Sequence, residues 1–172
     1  MGIAILVDGY NVIYSSSELK RLLEKSKYQA QEKLVNLMSS YCSLEGREGY
    51  VVFDAYRSHC LKSEEEIGSN LKIILTGTGE TADSYIEKFV SQKKAYYDYI
   101  YVVTSDYSQR RTADDKKVLF LSPQNFLKEI EAYQKVLRET YFSSPSKACL
   151  RVSDYLKSEV KKRLDRIREG LS

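Results

Sequence analysis

The stretch "ILVDGYNVIY", residues 5–14, decides the fold. An apolar run over 3–7 stops at Asp8, and Gly9, Tyr10 and Asn11 follow at once. Asp-Gly is a common turn dipeptide, so a strand and a turn would account for this stretch on its own. The reading changes when other strands end the same way. Apolar runs recur over 50–53, 71–75, 100–103 and 118–121 without alternating with polar residues. Strands buried on both faces read like this, which predicts a mainly parallel sheet covered by helices.

Helical patterns lie between the runs. Ser26 and Gln29 resemble a capping box, followed by Ala30, Leu34, Leu37, Met38, Tyr41 and Leu44 at helical spacing, with Gly46 as the stop. Ser17 starts a shorter helix. Thr81 is the expected N-cap of a helix carrying Ala82, Ile86, Phe89 and Val90. Ser122-Pro123 opens another, with proline at the first helical position. A loop over 143–147 and a last helix over 153–170 complete an α/β order in one domain spanning 1–172. The connection over 55–70, which contains His59 and Cys60, has no clear pattern.

Composition narrows the function classes. With 42% hydrophobic and 30% charged residues, the chain can bury a core. Three scattered cysteines, no CxxC pair and a single histidine argue against a zinc site and for a reduced, cytoplasmic protein without a disulfide-linked partner. No stretch approaches membrane-spanning length, and no membrane partner is expected. The first apolar run is too short for a signal peptide.

Each strand end presents polar groups. "VVFDAY" (51–56) ends at Asp54, and "YVVTSDY" (101–107) ends at Thr104, Ser105 and Asp106. The third run leads through "GTGETAD" (77–83), which carries Glu80 and puts Asp83 in a helix's first turn. In open parallel sheets the ligand crevice lies beyond the carboxyl ends of the strands. Asp8, Asp54 and Asp106 are aimed at that edge, with Glu80 and Asp83 beside it. Any one of them could be only a turn or cap residue. Several carboxylates in one crevice repel unless a cation sits among them. Oxygen ligands suit Mg2+ or Mn2+, which commonly also hold substrate phosphates. The pattern points to a metal-dependent enzyme acting on phosphate esters.

Other phosphate chemistries fit less well. An Asp-x-Asp phosphatase motif fails because Tyr10 stands in the second position. A P-loop and a nucleophile elbow are absent, and Gly77-x-Gly79 lacks a third glycine.

"LVDGYN", "VVFDA", "ETAD" and "TSDY", in this order and spacing, resemble the NYN domains of the PIN-like nuclease superfamily, and within it the bacterial and plastid YacP-like group. The likeness runs from residue 1 to about residue 133 and continues in helical character beyond. It implies a three-layer α/β/α PIN-like fold with an added basic C-terminal helical extension over 147–172. It also implies an Mg2+- or Mn2+-dependent endoribonuclease that cleaves mRNA in association with the ribosome, in the cytoplasm or, after loss of a transit peptide, the plastid stroma. By position, Asp8, Asp83 and Asp106 would be the catalytic, metal-binding carboxylates. Asn11, Asp54, Glu80 and Ser105 would support them.

Outside the acidic edge, Tyr10 and Tyr107 follow closely on two of these aspartates and could stack RNA bases. Tyr97, Tyr99 and Tyr101 read as packing residues. Arg110 and Arg111, with Lys116 and Lys117, could hold flanking phosphates. The last helix puts Leu156, Val160, Leu164, Ile167 and Leu171 on one stripe, with Lys161, Lys162 and Arg166 off it as candidate RNA contacts. Two competing readings stay open: a catalytically silent RNA- or ribosome-binding module, and a small-molecule phosphatase. A pure RNA binder would gain nothing from carboxylates facing phosphates, and a phosphatase would need a closed pocket.

Overall fold

A computed structural model describes residues 2–54, 62–105 and 116–142. The expected loop over 143–147 and helix over 153–170 lie outside these residues, as do His59, Cys60, Asp106, Tyr107, Arg110, Arg111, Lys161, Lys162 and Arg166.

The chain runs β1 (Gly2–Asp8), α1 (Gly9–Ser15), α2 (Ser17–Lys25), α3 (Lys27–Glu45), β2 (Glu48–Phe53), β3 (Ser63–Ile67) and β4 (Leu71–Leu75). It continues through α4 (Ala82–Lys93), β5 (Tyr97–Val103), β6 (Val118–Leu121) and α5 (Pro123–Phe142). The strands form one sheet in the order β3-β4-β2-β1-β5-β6. Among the described strands, only β3 is antiparallel to its neighbour; the other pairings are parallel.

The continuous apolar runs are strands covered on both sides, as their composition predicts. Ile5 and Val7 of β1, with Val51 and Phe53 of β2, face a core built with α1, α2, α3 and α5. Ala4 and Leu6, with Tyr50 and Val52, face a second core under α4. This is a three-layer α/β/α arrangement with, among the described residues, one helix on one face and four on the other.

The helix boundaries follow local chemistry. Ser26 caps α3 by accepting from the Gln29 backbone N–H, and Gly46 ends it with a left-handed φ of 62°. Thr81 caps α4 through the Ser84 N–H, and Ser122 caps α5 through the Asn125 N–H at 3.2 Å. α2 starts at Ser17, as expected, and Ser16 caps it, its side chain accepting from the Leu19 N–H.

Two elements differ from the sequence reading. β3 reads Ser-Glu-Glu-Glu-Ile and has no apolar run. It is an edge strand whose stability includes cross-strand pairs: Lys72 Nζ lies 3.1 Å from Glu64 and 2.9 Å from Glu66. The other is α1. Asp8-Gly9 is not a turn but a helix start, with Asp8 as the N-cap.

Candidate active site at the carboxyl edge of the sheet

Registers place the strand ends together. Val7 pairs with Val103, which sets Asp8 beside Thr104. Phe53 pairs with Leu75, which sets Asp54 beside Thr76. From β1 the chain builds outward through β2 to β4 and β3, then returns to β5 on the other side of β1. The order of strands therefore switches between β1 and β5, where open α/β sheets form their ligand crevice.

Asp8 sits in that crevice and is only 7% exposed. It accepts two hydrogen bonds from Asn11, one from the backbone N–H at 3.1 Å and one from the side-chain amide at 2.7 Å. The same amide reaches across the switch point. Asn11 Nδ2 lies 3.5 Å from Thr104 Oγ1, and Asn11 Oδ1 accepts from Ser105 Oγ at 2.6 Å. One asparagine thus orients the carboxylate of β1 and ties it to the end of β5.

Burial pushes the Asp8 carboxyl up from its ordinary 3.8 to about 6. The hydrogen bonds from Asn11 oppose the rise, while the negative charges of Asp83 and Asp54 add to it. Three carboxylates therefore share one electrostatic environment although they come from three segments. The Asp54 side chain accepts from the backbone N–H of Ala82, the first residue of α4. It thereby fixes the turn of helix that carries Asp83. Asp54 orders the edge through this bond to α4.

Glu80 is drawn to the flank. It lies in the β4–α4 connection with its carboxylate 3.7 Å from Lys62 and 3.9 Å from Lys88. Tyr10 packs edge-on against Phe53, its ring 5.5 Å away, and its hydroxyl accepts from Gln31 Nε2 at 3.2 Å. Its ring is thus partly engaged by the protein, with Lys27 Nζ 5.3 Å above it. Tyr97 is a packing residue, as the sequence predicts: it is buried and its hydroxyl donates to Glu48 at 2.6 Å. Tyr101 carries the Arg47 guanidinium over its ring, while Tyr99 is 47% exposed.

The sequence reading missed the helical setting of Asp8 and Asn11. The signal was present: Asp at an N-cap, a partner three residues on, then buried Val12 and Ile13. It also passed over Lys62, Lys88 and Lys93, which line a groove beside the edge.

Among the described residues no group of three His, Cys, Asp or Glu side chains stands at metal-ligand spacing. The donor set is nonetheless all oxygen and anionic, with a carboxylate raised chiefly by burial and further by two neighbouring carboxylates, which suits a hard divalent cation. Asp106, adjacent to Ser105 in the chain, lies outside the described residues.

Fold and site define an α/β protein with three layers and an acidic strand edge at the switch point of its sheet. The YacP-like NYN domain family matches residues 5–169, and the chain belongs to that family. A curated relative, the uncharacterized protein YacP of Bacillus subtilis (strain 168), is 35% identical over 133 residues, 76% of each chain. The crystal structure of Rae1 (YacP) from Bacillus subtilis superposes with a TM-score of 0.69 at 31% identity, covering 99% of this chain and 96% of that one. Its W164L mutant gives 0.68 at 29%, covering 97% and 99%.

Proposed function

We propose that this protein is an Mg2+- or Mn2+-dependent endoribonuclease that cleaves mRNA in association with the translating ribosome. The observation that carries the reading is Asp8, buried at the switch point with its proton affinity raised by burial and by Asp83 and Asp54. A group kept in that state has a use for a cation. Family membership supports the same reading.

Asp8, Asp83 and Asp106 would hold the metal. A bound Mg2+ or Mn2+ would neutralise charge building on the phosphodiester and activate water for attack. Asn11 keeps the Asp8 carboxylate aimed, through the two bonds that it donates. Ser105 holds Asn11 in turn. Asp54 keeps α4 seated so that Asp83 faces the same crevice.

Net charge is only +3, so non-specific attraction to RNA is modest. A large RNA-rich partner would supply positioning, which can lower a barrier by several kcal/mol. Lys161, Lys162 and Arg166 are the candidate ribosome contacts.

The test is cleavage of a reporter mRNA, naked and under translation, with Mg2+, Mn2+ or chelator. Cleavage should need metal and be faster on translated mRNA, and Asp8→Asn and Asp83→Asn should each abolish it with unchanged circular dichroism. Full activity in both variants would sink the catalytic assignment. Equal cutting of naked mRNA at the same sites would remove the ribosome from it.

A further inference from the structure

A groove runs along the outer side of α4, on the face of the sheet away from the other helices. It encloses about 220 Å3 and is lined by Lys62, Lys72, Lys88 and Lys93 over a floor that includes Tyr85 and Phe89. Among the described residues, Glu64 is the one carboxylate in its lining. Lys72 is held by Glu64 and Glu66. Lys62 and Lys88 stand in a looser relation to Glu80, at 3.7 and 3.9 Å, beyond hydrogen-bond length. Lys88 is 59% exposed, and the Lys62 ammonium lies 4.3 Å from the Tyr85 ring centroid.

The groove starts at the acidic edge. Lys62 packs against Gly77, in the connection that leads to Asp83. α4 then carries the lysines away from the crevice. Ten residues separate Asp83 in its first turn from Lys93 at its end, a rise of about 15 Å. Ammonium groups along a groove bind a nucleic-acid strand by neutralising its phosphates, while the Tyr85 and Phe89 rings beneath them belong to the buried core.

We propose that this α4 groove is the track for the single-stranded RNA flanking the scissile phosphate, with Lys62, Lys88 and Lys93 as its phosphate contacts. The inference rests on the endoribonuclease reading and adds to it the side on which the strand leaves the site.

The experiment uses the full chain carrying Asp8→Asn, in chelator, with a fluorescein-labelled 12-nucleotide oligouridylate followed by anisotropy. Lys88→Glu with Lys93→Glu should raise Kd about tenfold, and the salt dependence should fall by roughly 1.4, given about 0.7 per single-strand phosphate contact. Lys20→Glu with Lys128→Glu applies the same charge change on α2 and α5, across the sheet, and should leave Kd within about twofold. Thermal melting of both doubles verifies that they fold. Equal weakening by both doubles, or none by the first, overturns the track. So does competition by inorganic phosphate as effective, per phosphate, as by the oligomer. Cleavage separates this inference from its premise. If Asp8→Asn is inactive while Lys88→Glu with Lys93→Glu binds and cuts as the parent does, the track fails alone. If Asp8→Asn still cuts while that double loses binding, the track stands and the catalytic assignment fails.

Discussion

Gly9 and Asp8 divide the work of the first strand's end. A Cβ on Gly9 would collide with the ring of Phe53, which is 1% exposed and has no room to retreat. Glycine is there because α1 starts tight against β2. Gly9→Ala should therefore cost about 1–3 kcal/mol, the usual range for forcing atoms into a packed core, read by urea denaturation. An unchanged midpoint would mean that the helix start can shift. Asp8 makes a different demand. Its carboxyl is raised from 3.8 to about 6 in the folded state, so the folded protein keeps a proton that the unfolded chain releases. Without metal, the contribution of Asp8 to stability should be fully present below about pH 4, fall as pH rises through 6, and be lost above about 7. At about 1.4 kcal/mol per tenfold change in proton affinity, the upper bound of that fall is about 3 kcal/mol. Asp8→Asn keeps a capping oxygen and removes the charge. In chelator it should flatten this dependence and melt higher than the parent at pH 7.5. A melting-temperature difference between parent and Asp8→Asn that stays constant from pH 4 to 8 would contradict the buried-charge account.

At the scale of elements, legibility in the sequence followed the source of stability. α3, α4 and α5 were legible because their own residues specify them: Ser26, Thr81 and Ser122 donate nothing to the core but satisfy first-turn N–H groups. β1, β2, β4, β5 and β6 were legible as apolar runs buried on both faces. β3 was not, because only Ile67 of it is buried and its glutamates find their partner in Lys72 on another strand. α1 was hidden by Gly9, whose reason lies in Phe53 more than forty residues away. The acidic edge was legible as Asp8, Asp54 and Asp83, but their division of labour was not. Asp54 is revealed as an α4 anchor only by its bond to the Ala82 N–H. Asp54→Asn retains a carbonyl oxygen for that bond and should keep a substantial share of cleavage. Asp54→Ala frees the start of α4 and should lower kcat by at least about tenfold, since misplacing a reacting group by about 1 Å can cost a hundredfold. An equal loss in the two variants would show that Asp54 acts by charge and not by anchoring, and full activity in both would remove it from the site.

For the whole molecule, the acidic edge stores repulsion that the rest of the fold must outweigh. β1 lies at the centre of the sheet, with β2 and β5 on either side, and both cores reach it. A strand so placed can hold a desolvated carboxylate at its end without the sheet giving way. That makes the site a lever on global stability, because a ligand that binds the folded state alone stabilises it by mass action. Millimolar Mg2+ or Mn2+ at pH 7.5 should therefore raise the melting temperature. At a hundred times Kd the gain is about 2.7 kcal/mol, which for a protein of this size corresponds to roughly 5–10 °C. The gain should vanish in Asp8→Asn and shrink in Asp83→Asn. It should also shrink toward pH 5, because protons compete with the cation for Asp8. Salt of matched ionic strength without divalent cation separates specific binding from general screening. A parent protein whose melting temperature ignores divalent metal at every pH would remove the metal from the site and with it the proposed chemistry.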